Sequence, residues 1–247
     1  MKKQTRILLS ILIAVVLAIG IGSCAYVSDY YHADETAQEA MVSQDEQIKV
    51  EQDGNVTWFI PENPEAGFIF YPGGKVEFSA YAPLMKACAK RGIQCALVRM
   101  PANLAVLDPN AADGLEALYP QIKDWYIGGH SLGGAMATSY AAGHADKFKG
   151  IILLAAYSTK DLANTGLRVL SIYGSKDGVL NREAYEKDRL NLPADTTEII
   201  LEGGNHSQFG SYGHQEGDGD ATISDTQQIQ QTAEAIQAFV SDQTKNE

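Results

Sequence analysis

The chain has 247 residues, enough for one substantial domain with a short appendage and too few for two catalytic domains. Hydrophobic residues make up 45% of it and charged ones 20%, a balance that excludes disorder for the bulk of the chain. Its net charge is −12, and because Lys2, Lys3 and Arg6 all stand at the very start the remainder is more acidic still, which argues against a nucleic-acid partner.

In chain order, those three basic residues precede an uncharged apolar run, 7–22, which extends to residue 27 and so reaches about 21 residues, enough to cross a hydrocarbon core. Positive charge on its N-terminal side keeps that end in the cytoplasm, so the rest of the chain is expected outside, at a bacterial cell membrane. Tyr26, Tyr30 and Tyr31 then fall where interfacial aromatics belong. Ile21, Gly22, Ser23 and Cys24 also resemble a lipobox with Cys24 as the lipidated residue, and a cleaved secretory signal is a third reading. All three place the main domain outside the cytoplasm. Residues 29–47 are polar and rich in Ala, Glu and Gln, which predicts a helical stalk acting as a spacer.

The main domain is expected over 48–247. Strands at 48–51 and 56–60 around Asp53, Gly54 and Asn55 predict a hairpin. A strand at 67–71 ends at Pro72, Gly73 and Gly74, and a helix over 78–90 follows with Gly92 as its stop. Next come a strand at 95–100, a weak helix within 104–118 interrupted by Asp108 and Pro109, and a strand at 125–128. Beyond the glycine-rich segment 129–133 the pattern predicts a helix at 134–142, strands at 151–156 and 169–173, a helix at 182–189, a strand at 198–201 and a last helix at 226–240. Short strands rich in Ile, Leu and Val, separated by helices, predict an α/β fold with a mostly parallel sheet covered on both faces. Residues 157–168 are too few for a lid domain, so an open site is expected. Cys88 and Cys95 lack metal-ligand spacing and read as buried small hydrophobes.

Gly129, His130, Ser131, Leu132 and Gly133 form a Gly-x-Ser-x-Gly pattern between a predicted strand and a predicted helix, the setting of a nucleophile elbow. The competing reading is a glycine-rich turn whose serine caps the helix. A serine hydroxyl is a poor nucleophile unless a base takes its proton and an acid orients that base. His32 lies in the predicted stalk, His130 stands beside the serine with its side chain directed elsewhere, and His144 follows the elbow helix. His206, in the loop after strand 198–201, is therefore the candidate base, with His214 as the fallback. Asp177 directly follows strand 169–173 and so reaches the carboxyl edge of the sheet, whereas Asp161, Asp188 and Asp195 do not. Candidate oxyanion donors are the N–H of Leu132 and that of either Gly74 or Lys75. Asp218 and Asp220 flank Gly219 in a glycine-rich loop that offers too few oxygens for calcium and reads as a turn. Neither a metal nor a cofactor is called for.

Taken together, segments 71–76 (YPGGKV), 128–134 (GGHSLGG), 173–178 (YGSKDG) and 203–210 (GGNHSQFG) resemble the α/β-hydrolase superfamily and, more narrowly, its compact bacterial group labelled α/β-hydrolase fold-5. The resemblance covers most of 56–240. It implies a triad of Ser131, Asp177 and His206 and an esterase or dienelactone-hydrolase-like activity. Dienelactone hydrolases use cysteine as nucleophile, so Ser131 favours an ordinary small-molecule ester and no obligate protein partner. The rival expectations are a catalytically silent surface binding protein on the same fold, or an acyltransferase or peptidase built on the same three residues.

Overall fold

The computed structural model describes residues 11–17, 20, 22, 26–42 and 47–242. Two compact units divide the chain, 1–30 and 31–247. In the first, residues 11–17 and 26–28 are helical. Residues 7–10, 18–19, 21 and 23–25 of the expected membrane span, Cys24 among them, lie outside the described residues; among those described, no helix is long and apolar enough to cross a membrane.

The second unit contains, in order, α1 (Glu35–Val42), β1 (Ile48–Asp53), β2 (Val56–Pro61), β3 (Ala66–Tyr71), α2 (Ala82–Ala89), β4 (Ile93–Val98), β5 (Trp125–His130), α3 (Leu132–Ala141), β6 (Gly150–Leu154), β7 (Arg168–Gly174), α4 (Arg182–Asp188), β8 (Thr196–Leu201) and α5 (Asp225–Ser241). Eight strands form one sheet in the order β1-β2-β4-β3-β5-β6-β7-β8. β1 and β2 are the expected hairpin, and the antiparallel β2–β4 pairing makes β2 run against its neighbours; from β4 to β8 every pairing is parallel. The central strands are buried along their whole length, and the period-two alternation of β3 sends Phe68 and Phe70 to one core and Ile69 and Tyr71 to the other. α1, α2 and α5 supply residues to the first core and α3 to the second. The sheet is thus covered on both faces, which is why its strands lack polar alternation.

Four expectations are corrected. Among the described residues of segment 29–47 the helix is α1, and it is no free spacer: Ala33, Ala37 and Ala40 are buried in the first core and α1 packs on α2. Small side chains spaced three and four apart let the helix approach closely. The expected helix 78–90 divides into a 3-10 turn, Phe78–Tyr81, and α2, because Pro83 is tolerated only in the first turn of an α-helix. The strand expected at 95–100 begins and ends two residues earlier, its ladder with β2 closing at Val56↔Val98, ahead of Pro101.

No α-helix forms within 104–118, where short 3-10 turns at Ala105–Leu107 and Glu116–Leu118 are found instead. Pro109 disfavours helical geometry at Asp108, and the Tyr71 hydroxyl takes up the segment's backbone, donating to Pro109 O (3.0 Å) and accepting from Ala112 N–H (2.8 Å).

Candidate active site

β5 runs into α3 through Ser131, whose backbone sits at φ 51°, ψ −122°. A non-glycine residue there carries strain of about 1–3 kcal/mol, held by the Ser131 N–H donating to Leu154 O on β6 (2.9 Å). The flanking glycines are demanded by closeness. A Cβ on Gly129 would lie 2.3 Å from Tyr71 O, and one on Gly133 would lie 2.2 Å from Tyr71 O and 2.3 Å from Pro72 O. Only with both side chains absent can the start of α3 descend onto the end of β3.

His206 and Asp177 come from loops after the adjacent strands β8 and β7. The Asp177 carboxylate and the His206 ring are buried, and Nδ1 and Oδ2 are 2.9 Å apart. The other carboxylate oxygen accepts from Val179 N–H (2.9 Å) and Leu180 N–H (2.8 Å), which fixes the orientation of the acid. With Nδ1 engaged, His206 Nε2 is the remaining ring nitrogen; it is buried and lacks a partner among the described residues. Ser131 and His206 line the same cavity, of about 380 Å³. No hydrogen bond joins them here, a contact that catalytic pairs commonly close only once substrate is bound.

Hydrogen bonding distinguishes the two alternative candidate donors, Gly74 and Lys75. Lys75 N–H is spent on Asn103 O (2.8 Å) and Gly73 N–H on the Tyr81 hydroxyl (3.0 Å), so Lys75 is corrected and Gly74 keeps an N–H without a partner among the described residues. Gly74 also lies against Leu132, since a Cβ on it would meet Leu132 Cδ2 at 2.8 Å. Leu132 is the first residue of α3, where the helix offers its N–H no acceptor.

The model of the Alpha/beta hydrolase family matches residues 67–230, which run from β3 into α5 and include Gly74, Ser131, Leu132, Asp177 and His206. The chain belongs to the α/β hydrolase family.

Solved structures agree at the level of fold. A protein described as a predicted CIB-like hydrolase from Thermoplasma acidophilum is 15% identical with a TM-score of 0.55, over 78% of this chain and 98% of its own. Est1E from Butyrivibrio proteoclasticus is 14% identical with a TM-score of 0.58, covering 81% and 99%. MGS-MChE2, an α/β hydrolase enzyme from the metagenome of sediments of the Mar Chica lagoon, Morocco, is 14% identical with a TM-score of 0.52, covering 66% and 91%. No curated protein sequence matches the chain.

The cavity of this α/β hydrolase is mainly apolar, walled by residues such as Leu132, Met136, Ala155, Val179 and Leu180, and no Asp, Glu, Lys or Arg lines it among the described residues. Tyr157 and Thr159, from the short connection after β6, form part of its wall where a lid domain was not expected. His214 is exposed and borders a different cavity, away from Ser131. His32 is exposed beside Glu77, and His144 stacks on the Tyr140 ring. Asp161 caps its own turn at Ala163, Asp188 ends α4 and Asp195 pairs with Arg168.

Two supports escaped the sequence. His130 does not turn away: its ring is buried 4.4 Å from that of His206, with Nδ1 2.8 Å from the Tyr81 hydroxyl. Because that hydroxyl accepts from Gly73 N–H, its own hydrogen goes to His130 Nδ1, linking the loop that carries Gly74 to the residue before Ser131. Burial, reinforced by the nearby His206, holds the His130 pKa well below the ordinary histidine value, so the ring is neutral. The second support is Asp218, whose carboxylate meets the backbone of both the Asp177 and His206 loops. Histidine beside the elbow serine was the available signal for the first; for the second, nothing beyond an aspartate in a glycine-rich turn.

Proposed function

We propose that this α/β hydrolase cleaves carboxylic esters with an uncharged acyl group through an acyl-enzyme on Ser131. The observation that carries the reading is the buried Asp177–His206 pair, whose histidine lines one cavity with Ser131 and has Nε2 without a partner among the described residues. His206 Nε2 takes the Ser131 proton as Oγ attacks the ester carbonyl, and the N–H groups of Leu132 and Gly74 receive the charge that develops on the carbonyl oxygen. As the intermediate collapses, the C–O bond to the alcohol breaks and the histidine returns its proton to the departing alkoxide. Water, deprotonated by the same nitrogen, then releases the acid and restores Ser131. An uncharged wall suits an apolar acyl chain, because a charged one would be desolvated there without a partner.

The basic and then apolar N-terminal sequence supports tethering of the enzyme at the outer face of a membrane. The decisive experiment labels the full chain with a fluorophosphonate probe and follows p-nitrophenyl ester turnover. Labelling that disappears in Ser131→Ala, with turnover down by on the order of 10⁴-fold, is the expected result. An unlabelled parent chain, or unchanged turnover in the variant, overturns the reading.

A further inference from the structure

The loop carrying Asp177 and the loop carrying His206 are joined at their roots, where Lys176 N–H donates to Gly204 O (2.8 Å) and Gly203 N–H to Ser175 Oγ (2.8 Å). Those contacts stop short of the two side chains that meet. Across the tips lies a third segment, 217–219, fitted without spare room: a Cβ on Gly219 would lie 2.0 Å from Lys176 O, and one on Gly178 would lie 2.5 Å from Gly217 O. Asn205 Nδ2 donates to Gly219 O (2.9 Å) and ties the segment to the histidine loop.

At its centre the Asp218 carboxylate accepts four backbone N–H groups. Oδ1 accepts from Gly178 N–H (3.1 Å), His206 N–H (3.2 Å) and Gly219 N–H (2.9 Å), and Oδ2 accepts from Ser207 N–H (2.8 Å). An ionised carboxylate only accepts, over about four lone-pair sites, and here four backbone donors converge on it, three on one oxygen and one on the other. One of those donors follows Asp177 directly, one belongs to His206 itself and one follows it. We infer that Asp218 is a positioning residue, a clamp between the acid loop and the base loop that holds the Asp177 carboxylate and the His206 imidazole at bonding distance. The inference rests on the triad proposed above.

Chemistry selects the carboxylate. Asparagine at this position keeps one oxygen but turns an NH₂ group towards one set of N–H donors, donor against donor. Burial alone pushes the Asp218 pKa up, yet the N–H groups of Ser207, Gly178 and His206 outweigh it and leave the carboxyl below its usual value, as a charge-requiring clamp demands. Asp218 lies outside the wall of the acyl cavity, so its loss acts on alignment and not on substrate contact.

The test uses the full chain as parent, Asp218→Asn and Asp218→Ala, with Ser224→Ala in the α5 cap as a control that lowers stability while leaving Asp218 and all four of its N–H donors in place. Each is followed by kcat and KM for a p-nitrophenyl ester, by the rate of fluorophosphonate labelling, and by the downfield proton resonance of the His206 Nδ1–H···Asp177 bond. The clamp predicts loss or broadening of that resonance in Asp218→Asn, and a fall in kcat and labelling rate of about 10- to 100-fold with KM within about threefold. The Ala variant is expected to be worse and the Ser224→Ala control to match the parent. A resonance and a kcat in Asp218→Asn within about twofold of the parent, or an equal loss in Ser224→Ala, overturns the inference. Should the parent show the resonance but neither turnover nor labelling, the hydrolase reading fails while the resonance alone still decides the clamp.

Discussion

Tyr81 is a single hydroxyl with two obligations. It accepts from Gly73 N–H and donates to His130 Nδ1, and all three groups are buried. Tyr81→Phe leaves a donor and an acceptor unpaired in the core, at a cost of about 1–3 kcal/mol for each. Urea denaturation should show a lower midpoint at unchanged slope, and the loosened loop should lower kcat more than it raises KM. His130 itself makes stability depend on acid. Its folded pKa is depressed, so its contribution is fully present above the unfolded value of about 6.5 and is lost as the pH falls from there towards the folded value. Over that interval the unfolded chain binds a proton that the native chain refuses. His130→Gln should therefore flatten the fall of unfolding free energy below about pH 6.5, by up to about 1.4 kcal/mol per pH unit, measured in urea at several pH values.

At the scale of elements, what the sequence made legible was what depends on near neighbours. Ser224 and Gln227 form a reciprocal capping box, Ser224 Oγ accepting from Gln227 N–H (3.2 Å) and Gln227 Oε1 from Ser224 N–H (3.0 Å), and this starts α5 at Asp225. Ser224→Ala should cost about 1 kcal/mol in thermal or urea unfolding. The elbow follows from Gly129 and Gly133, whose absent side chains admit the backbone of β3. Gly133→Ala sets a methyl against two backbone carbonyl oxygens, Tyr71 at the end of β3 and Pro72 just beyond it, so the variant should melt at a much lower temperature than the parent or fail to fold. Where a distant partner competed, local pattern misled. The apolar spacing within 104–118 suited a helix, but the Tyr71 hydroxyl, far away in sequence, takes the backbone groups of Pro109 and Ala112 that a helix would have used.

For the whole molecule, the chain divides at Tyr31, and residues beyond it belong to the enzyme's own body. Tyr31 N–H donates to Lys75 O (2.8 Å) and Glu77 N–H donates to Tyr31 O (2.9 Å), a short parallel bridge on the loop that carries Gly74. Removing residues 1–47 strips α1 from α2 and frees the loop that carries Gly74, and should lower the melting temperature and ester turnover, as calorimetry and a p-nitrophenyl ester assay would report. Sequence by itself determined the α/β alternation, the buried central strands and the order in which serine, aspartate and histidine reach one edge of the sheet, because these depend on residue pattern and strand ends. Tertiary structure alone decided that Gly74 and not Lys75 keeps an N–H without a partner among the described residues, that His130 faces His206, and that Asp218, read from sequence as part of a simple turn, joins two loops. Each of these depends on which distant backbone group arrives to take a donor or an acceptor, and no local spacing encodes that.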